Sequence, residues 1–149
     1  MSTDDAVREL MLVLPRVIGR IKKLAPPEQL RSADLAPRHL SLLSLLLLDG
    51  PQTVSQLAER LGVAPTTVSL IVSDLSRKGV LDRREDENDR RRRIVDIAAD
   101  LRPAVEAWLQ PGAAAWRKAL APLSADEQRL FVDTFLAYEA ATGVTADED

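Results

Sequence analysis

The chain contains no cysteine. That excludes disulfides, thiolate metal sites and thiol-based redox sensing, and it fits a reducing cytoplasm. Aromatic residues make up only 3% of the 149 positions, so a core has to be assembled from Leu, Val, Ile and Ala, and Leu and Ala favour helices. There is one histidine, and His39 without a thiol partner makes no zinc site, so neither a metal nor a cofactor is expected. The six glycines form no phosphate-binding loop and no nucleophile stands with a histidine base, which leaves an enzyme without machinery. Long apolar runs are missing as well. The longest, in HLSLLSLLLLDG, falls far below the roughly 18–20 residues that span a bilayer. MSTDDAVREL lacks the basic and then apolar pattern of a secretion signal. The expectation is a cytoplasmic protein with no membrane partner.

What is present is an uneven distribution of charge. The net charge is −3, yet Arg77 to Arg93 holds eight basic and five acidic residues, a local balance of +3. From Ala98 to Asp149 four basic residues face nine acidic ones, a balance of −5. An acidic chain of this kind does not coat nucleic acid indiscriminately, but a confined basic patch allows a confined contact. The patch culminates in REDENDRRRRIVDI, where four consecutive arginines, Arg90 to Arg93, follow a cluster of acids.

Hydrophobic spacing organises the chain. From about Asp4 to Leu24, Val7, Leu10, Met11, Leu14, Val17, Ile18, Ile21 and Leu24 recur at intervals of three and four, an amphipathic helix in which Pro15 predicts a kink or a break. APPEQLRS reads as a linker. A helix apolar almost all round starts near Pro37 and stops at Gly50-Pro51. Thr53 then suits the N-cap of VSQLAERL, closed by Gly62, and Pro65 suits the first turn of PTTVSLIVSDLSRKG, closed by Gly79. In that second helix Val68, Ile71, Val72 and Leu75 make the buried stripe, leaving Thr66, Thr67, Ser69, Leu70 and Ser73 outward. VLDRRE and RRRIVDI alternate like strands around DEND, a tight two-stranded hairpin with an arginine-rich tip. Helices follow over about Asp100 to Leu120, interrupted by Pro111-Gly112, and over Ala125 to Thr142, opened by the capping box SADE at Ser124. The last residues, VTADED, are expected to fray.

The predicted fold is mainly α with a small β-hairpin wing, a winged helix-turn-helix flanked by N- and C-terminal helices. Its second helix suits a major groove, where Thr and Ser hydroxyls reach base edges or phosphates and Arg77 and Lys78 reach the backbone. The hairpin tip can place arginines in an adjacent minor groove, whose negative potential deepens as it narrows.

From LAPRHLSLLSLL through TVSQLAERLGVAPTTVSLIVSDLSRKGVLDRREDENDRRRRIVDI, about residues 35–97, the chain resembles the MarR family of bacterial transcription regulators. The most specific likeness is Asp89-Arg90-Arg91 with Val95 and Ile97, after KGVLDR. The resemblance implies that Arg91, flanked by Arg90 and Arg92, reads the minor groove, and that Asp89, two residues before it, holds it in place. It implies one protomer over 1–149, with 35–97 the DNA-binding part and 4–24 and 100–142 forming a homodimer. It further implies a ligand-responsive repressor on a pseudo-palindromic operator, with half-sites about 10 base pairs apart or a multiple of that. Two departures stand out. Leu70 occupies a position where relatives often carry Arg, and Leu cannot hydrogen-bond guanine; at best it packs on a thymine methyl. After the wing, AADL replaces the usual Thr-led helix start, passing the cap to Asp100.

The effector implied is a small aromatic or anionic compound. Arg16 and Arg20 stand one helical turn apart, His39 is polar near a helix start, and Trp108 and Trp116 lie near one helix face. Exposed arginines and ordinary aromatic packing explain the same residues without a ligand. The rival function is a winged helix that binds a basic protein through the acidic C-terminal third, without specific DNA binding.

Overall fold

Each hydrophobic period in the sequence becomes a helix. In the computed structural model, which describes residues 1–143, the elements run α1 (Thr3–Lys22), α2 (Glu28–Arg31), α3 (Pro37–Asp49), β1 (Gln52–Thr53), α4 (Val54–Leu61), α5 (Pro65–Arg77), β2 (Leu81–Glu85), β3 (Arg93–Ile97), α6 (Arg102–Leu120) and α7 (Ala125–Gly143). The segment expected to fray, 144–149, lies outside the described residues. The chain divides into two compact units, one from Met1 to Trp108 and one beginning at Leu109.

The first unit contains the core. Leu42, Leu43 and Leu46 of α3, Leu57 of α4, Val68, Val72 and Leu75 of α5 and Val95 and Ile97 of β3 are all buried. Leu30 is buried as well. Its burial corrects the reading of APPEQLRS as a plain linker, because it anchors the four-residue helix α2. So short a helix cannot sustain itself in water, but burying one leucine stabilises it by about 2 kcal/mol.

The sheet has three strands in the order β1-β3-β2, all antiparallel, where two were expected. Gln52 pairs with Val95 and Thr53 with Ile94, so the segment between α3 and α4 adds a two-residue strand beside the wing. On the other side Leu81 pairs with Ile97 and Glu85 with Arg93. Leu81 is buried, whereas Asp82 to Glu85 are exposed on both faces. The wing therefore leaves the core after a single residue of β2.

The expected interruptions did not break their helices. Pro15 lies inside α1 and Pro111 inside α6, and both helices run on. A proline removes one N–H and strains one turn; with a dozen residues of helix before it in α1 and nine before it in α6, the ladder resumes. Ser2 caps α1, its hydroxyl accepting from Asp5 N at 3.1 Å while the Asp5 carboxylate accepts from Ser2 N at 3.0 Å. The Ser2 hydroxyl, donating to the Asp5 carboxylate at 2.8 Å, and then Ser2 N hold the Asp5 carboxyl below its usual value. Helix α6 begins two residues beyond Asp100, its first turn closing on the carbonyl of Ala98, which accepts from Leu101 N and Arg102 N. The cap thus falls to the backbone instead of the Asp100 side chain.

In the second unit the expected box at Ser124 is formed. Glu127 N donates to the Ser124 hydroxyl at 3.3 Å and Ser124 N to the Glu127 carboxylate at 2.8 Å; the latter bond, followed by the Ser124 hydroxyl, holds the Glu127 carboxyl low. Four of the five aromatic residues gather here: Trp116 lies 5.7 Å from Phe131 and 6.4 Å from Phe135, and Phe135 lies 6.3 Å from Tyr138.

Candidate nucleic-acid interface

Two glycines set the geometry of the helix pair and its wing. Gly62 ends α4 at φ 66° and Gly79 follows α5 at φ 76°, left-handed values that a side chain would resist. Each lets the next residue turn back on the helix, with Val63 N donating to Ala58 O and Val80 N to Leu75 O.

Helix α5 buries Val68, Val72 and Leu75 on one side, and Ile71 is half-buried. At about 100° per residue, Thr66, Leu70, Ser73 and Arg77 fall within about 60° of one another, opposite that stripe. All four are exposed, as are Thr67 and Ser69, so the face read from the sequence as outward is outward. Leu70 is the most conspicuous, with 73% of its surface in solvent.

The two cations at the end of α5 are not equivalent. Arg77 donates to Asp74 Oδ1 at 2.7 Å but keeps a largely exposed side chain, with further N–H groups available. Lys78 is exposed but engaged by the fold, its ammonium donating to Ala33 O at 2.9 Å and pairing with Asp74 Oδ2 at 3.0 Å. It ties the end of α5 to the segment before α3. The Lys78 hydrogen bond, with a smaller contribution from Arg77, holds the Asp74 carboxyl below its ordinary value against the opposing effect of desolvation.

The wing connection is longer than expected. β3 begins at Arg93, so Arg90, Arg91 and Arg92 belong to a loop from Asp86 to Arg92 and not to a strand. Its residues fold on their own short acids. Asp86 N donates to Arg92 O at 3.0 Å across the base, and Asn88 N to the Asp86 carboxylate at 3.0 Å. Asp89 supports the turn in two ways, its carboxylate accepting from Arg91 N at 3.0 Å and its carbonyl from Arg92 N at 2.9 Å. The Asp89 carboxylate also faces Arg92 Nε at 3.7 Å. Asp89 thus fixes the Arg91 backbone, while its ion pair goes to Arg92. Glu85 faces Arg93 at 3.9 Å. All four arginines are exposed, as are Arg83 and Arg84 on β2.

The residues considered for an effector are dispersed in role. Arg16 and Arg20 are exposed on α1 and Trp108 is half-buried on α6. His39 is buried, and its Nδ1 accepts from Ala36 N at 2.8 Å, so it helps to start α3. A cavity of about 440 Å³ is lined by Asp49, Pro51, Gln52, Gln56, Glu59 and Arg60, and none of the four borders it. Trp116 packs on Phe131 and Phe135. Among the described residues no group of three His, Asp or Glu could hold a metal, and no helix is long and apolar enough to cross a membrane.

Sequence reasoning missed the tie from Lys78 to Ala33, and also Arg102, whose guanidinium donates to the Asp96 carboxylate at 2.9 Å and links β3 to the start of α6. Neither spacing follows a helical or strand period, so neither carried a local signal.

Two short helices joined by a glycine turn, followed by a wing on a three-stranded sheet, define a winged helix-turn-helix protein. The MarR family model matches residues 33–92, which hold both helices and most of the wing, so this part of the chain is similar to that family. Its members are non-enzymatic, DNA-binding transcription regulators. The chain is 30% identical over 100 residues to the transcriptional repressor MdtR of Bacillus subtilis (strain 168), a match covering 65% of this chain and 61% of the repressor. Among solved structures, the YusO protein of Bacillus subtilis is similar at a TM-score of 0.56 and 25% identity, over 93% of this chain and 99% of that one. A MepR–DNA complex from S. aureus gives 0.58 and 21% over 88% and 96%, a likeness of fold.

Proposed function

We propose that the chain is a homodimeric transcription regulator, a ligand-responsive repressor that binds specific double-stranded DNA. The observation that carries the reading is the pairing of an outward hydroxyl-bearing stripe on α5 with a wing tip whose arginines are solvent-facing and whose turn is braced by Asp89. In this reading residues 35–97 are the DNA-binding part. Thr66, Thr67, Ser69, Leu70 and Ser73 address the major groove, Arg77 addresses the phosphates, and Arg91, with Arg90 and Arg92 beside it, enters the minor groove. Lys78, tied to the backbone of Ala33 and to Asp74, has a third N–H with which it can address phosphate as well.

Residues 4–24 and 100–142 form the dimer. No residue of α1 is buried, and Leu10, Met11, Ile18 and Ile21 are about half exposed, as are Val132, Phe135 and Leu136 of α7. Apolar faces of that extent are ordinarily covered, and a two-fold axis would match a pseudo-palindromic operator. The repressor role is supported by the relative named for it, MdtR. The effector is a small aromatic or anionic compound, for which Arg16 and Arg20 offer exposed charge and Trp108 a partly open ring.

The test is fluorescence anisotropy against the duplex upstream of the chain's own gene and against a genomic selection, at two salt concentrations, with sedimentation of the protein in the same buffer. Competitor-resistant binding that falls with salt, weakens in Arg91→Ala and belongs to a species of twice 16.4 kDa is expected. Binding indifferent to sequence and salt, with a response to charge reversal in the C-terminal third, would instead indicate a protein-interaction module.

A further inference from the structure

Leu70 has no structural reason to be leucine. It sits opposite the buried stripe of α5, and 73% of its surface meets solvent. It makes no contribution to the core that Val68, Val72 and Leu75 build. Its neighbours on the same face, Thr66, Ser73 and Arg77, are all polar, so it is a single apolar side chain within a hydrogen-bonding surface. Major-groove edges are also polar with one apolar exception, the C5-methyl of thymine. An isolated branched aliphatic group on a face of hydroxyls is complementary to that exception and to no other base edge.

We infer that Leu70 is a specificity determinant which reads a thymine through its methyl group. The inference rests on the regulator reading above and deepens it: the position of α5 that could have carried a guanine-reading donor selects instead for an A·T pair. Thr66 and Ser73, one turn to either side, fix the register of the contact through base edges or phosphates. The same leucine excludes G·C there, because it offers no partner to guanine O6 and N7, which would be desolvated unpaired.

The experiment replaces each thymine of the bound operator in turn with deoxyuridine, which keeps every hydrogen bond and removes only the methyl. Affinities are measured for the full-length wild type and for Leu70→Ala, a change at an exposed helical position that leaves folding intact. Wild type should lose about fourfold per methyl at one thymine, or at a symmetry-related pair, the value of one buried methyl. Leu70→Ala should bind the unmodified operator more weakly and be indifferent to the methyl at that thymine. Leu70→Met, which keeps an apolar tip, should retain the sensitivity. Retained operator binding with no methyl-sensitive thymine, or with equal sensitivity in Leu70→Ala, overturns this inference and leaves the regulator intact. Failure to prefer any duplex over scrambled DNA overturns both.

Discussion

Replacing Asp89 opposes two effects of opposite sign, and the wing geometry decides between them. In the proposed complex Asp89 is an acid among arginines that face phosphate. By charge alone its removal should tighten DNA binding, since a unit charge about 10 Å from a phosphate in water is worth about 0.4 kcal/mol before screening, about twofold. By structure its removal should weaken binding. Its carboxylate accepts from Arg91 N at 3.0 Å and faces Arg92 Nε at 3.7 Å, so Asp89→Ala loosens the turn that presents both arginines. One such hydrogen bond is worth about 1 kcal/mol, and the backbone freedom restored to Arg91 has to be lost again on binding, at a similar cost. Geometry therefore wins, and Asp89→Ala should bind operator about threefold to tenfold more weakly despite its extra positive charge. Asp89→Asn separates the two effects. Its amide oxygen still accepts from Arg91 N while the charge is gone, so it should bind as tightly as wild type or up to about twofold tighter. Anisotropy titrations of the three proteins at one salt concentration measure this, and circular-dichroism melts should agree within about 2 °C because the turn is exposed and local. If Asp89→Ala matches Asp89→Asn, the carboxylate is a counter-charge and the bracing argument is wrong.

Two further outcomes concern the scaffold. Thr53→Ala removes the acceptor for Gln56 N at the start of α4 and should cost about 1 kcal/mol, a fall of about 2–4 °C in thermal midpoint that Thr53→Ser recovers; an unchanged midpoint would mean the cap is not formed. Asp74 has a folded value below the 3.8 of a free carboxyl, so the stabilisation it lends is complete above that value and is lost as the pH falls through the lower, folded one. Carboxyl NMR should show its midpoint below 3.8, and Lys78→Met should move it upward; a midpoint indifferent to Lys78 would contradict the 3.0 Å pair.

Much of the fold was legible because each long helix carries its own period and its own punctuation. Thr53, Gly62, Pro65 and Gly79 delimit α4 and α5 by local chemistry that needs no tertiary partner. The elements that escaped are those whose reason lies elsewhere in the chain. Two residues of β1 have no alternation to detect and are a strand only because Val95 and Ile94 stand opposite. The four residues of α2 exist because Leu30 is buried. The outward face of α5 was readable from the stripe behind it. The wing loop was misjudged by two residues: β-like RRR gave way to the side-chain and carbonyl acceptors of Asp89, which claim the N–H groups of Arg91 and Arg92.

The short strand β1 also bears on how such proteins can be recombined. Thr53 pairs with Ile94 through its backbone and opens α4 through its hydroxyl, so one residue belongs to both the sheet and the helix pair. A chimera that imports a foreign wing as the continuous block from Leu81 to Ile97 would leave the matching edge behind, some thirty positions upstream. The transplantable unit is discontinuous: the hairpin travels with Gln52 and Thr53, or the new wing arrives without the seam that orients it.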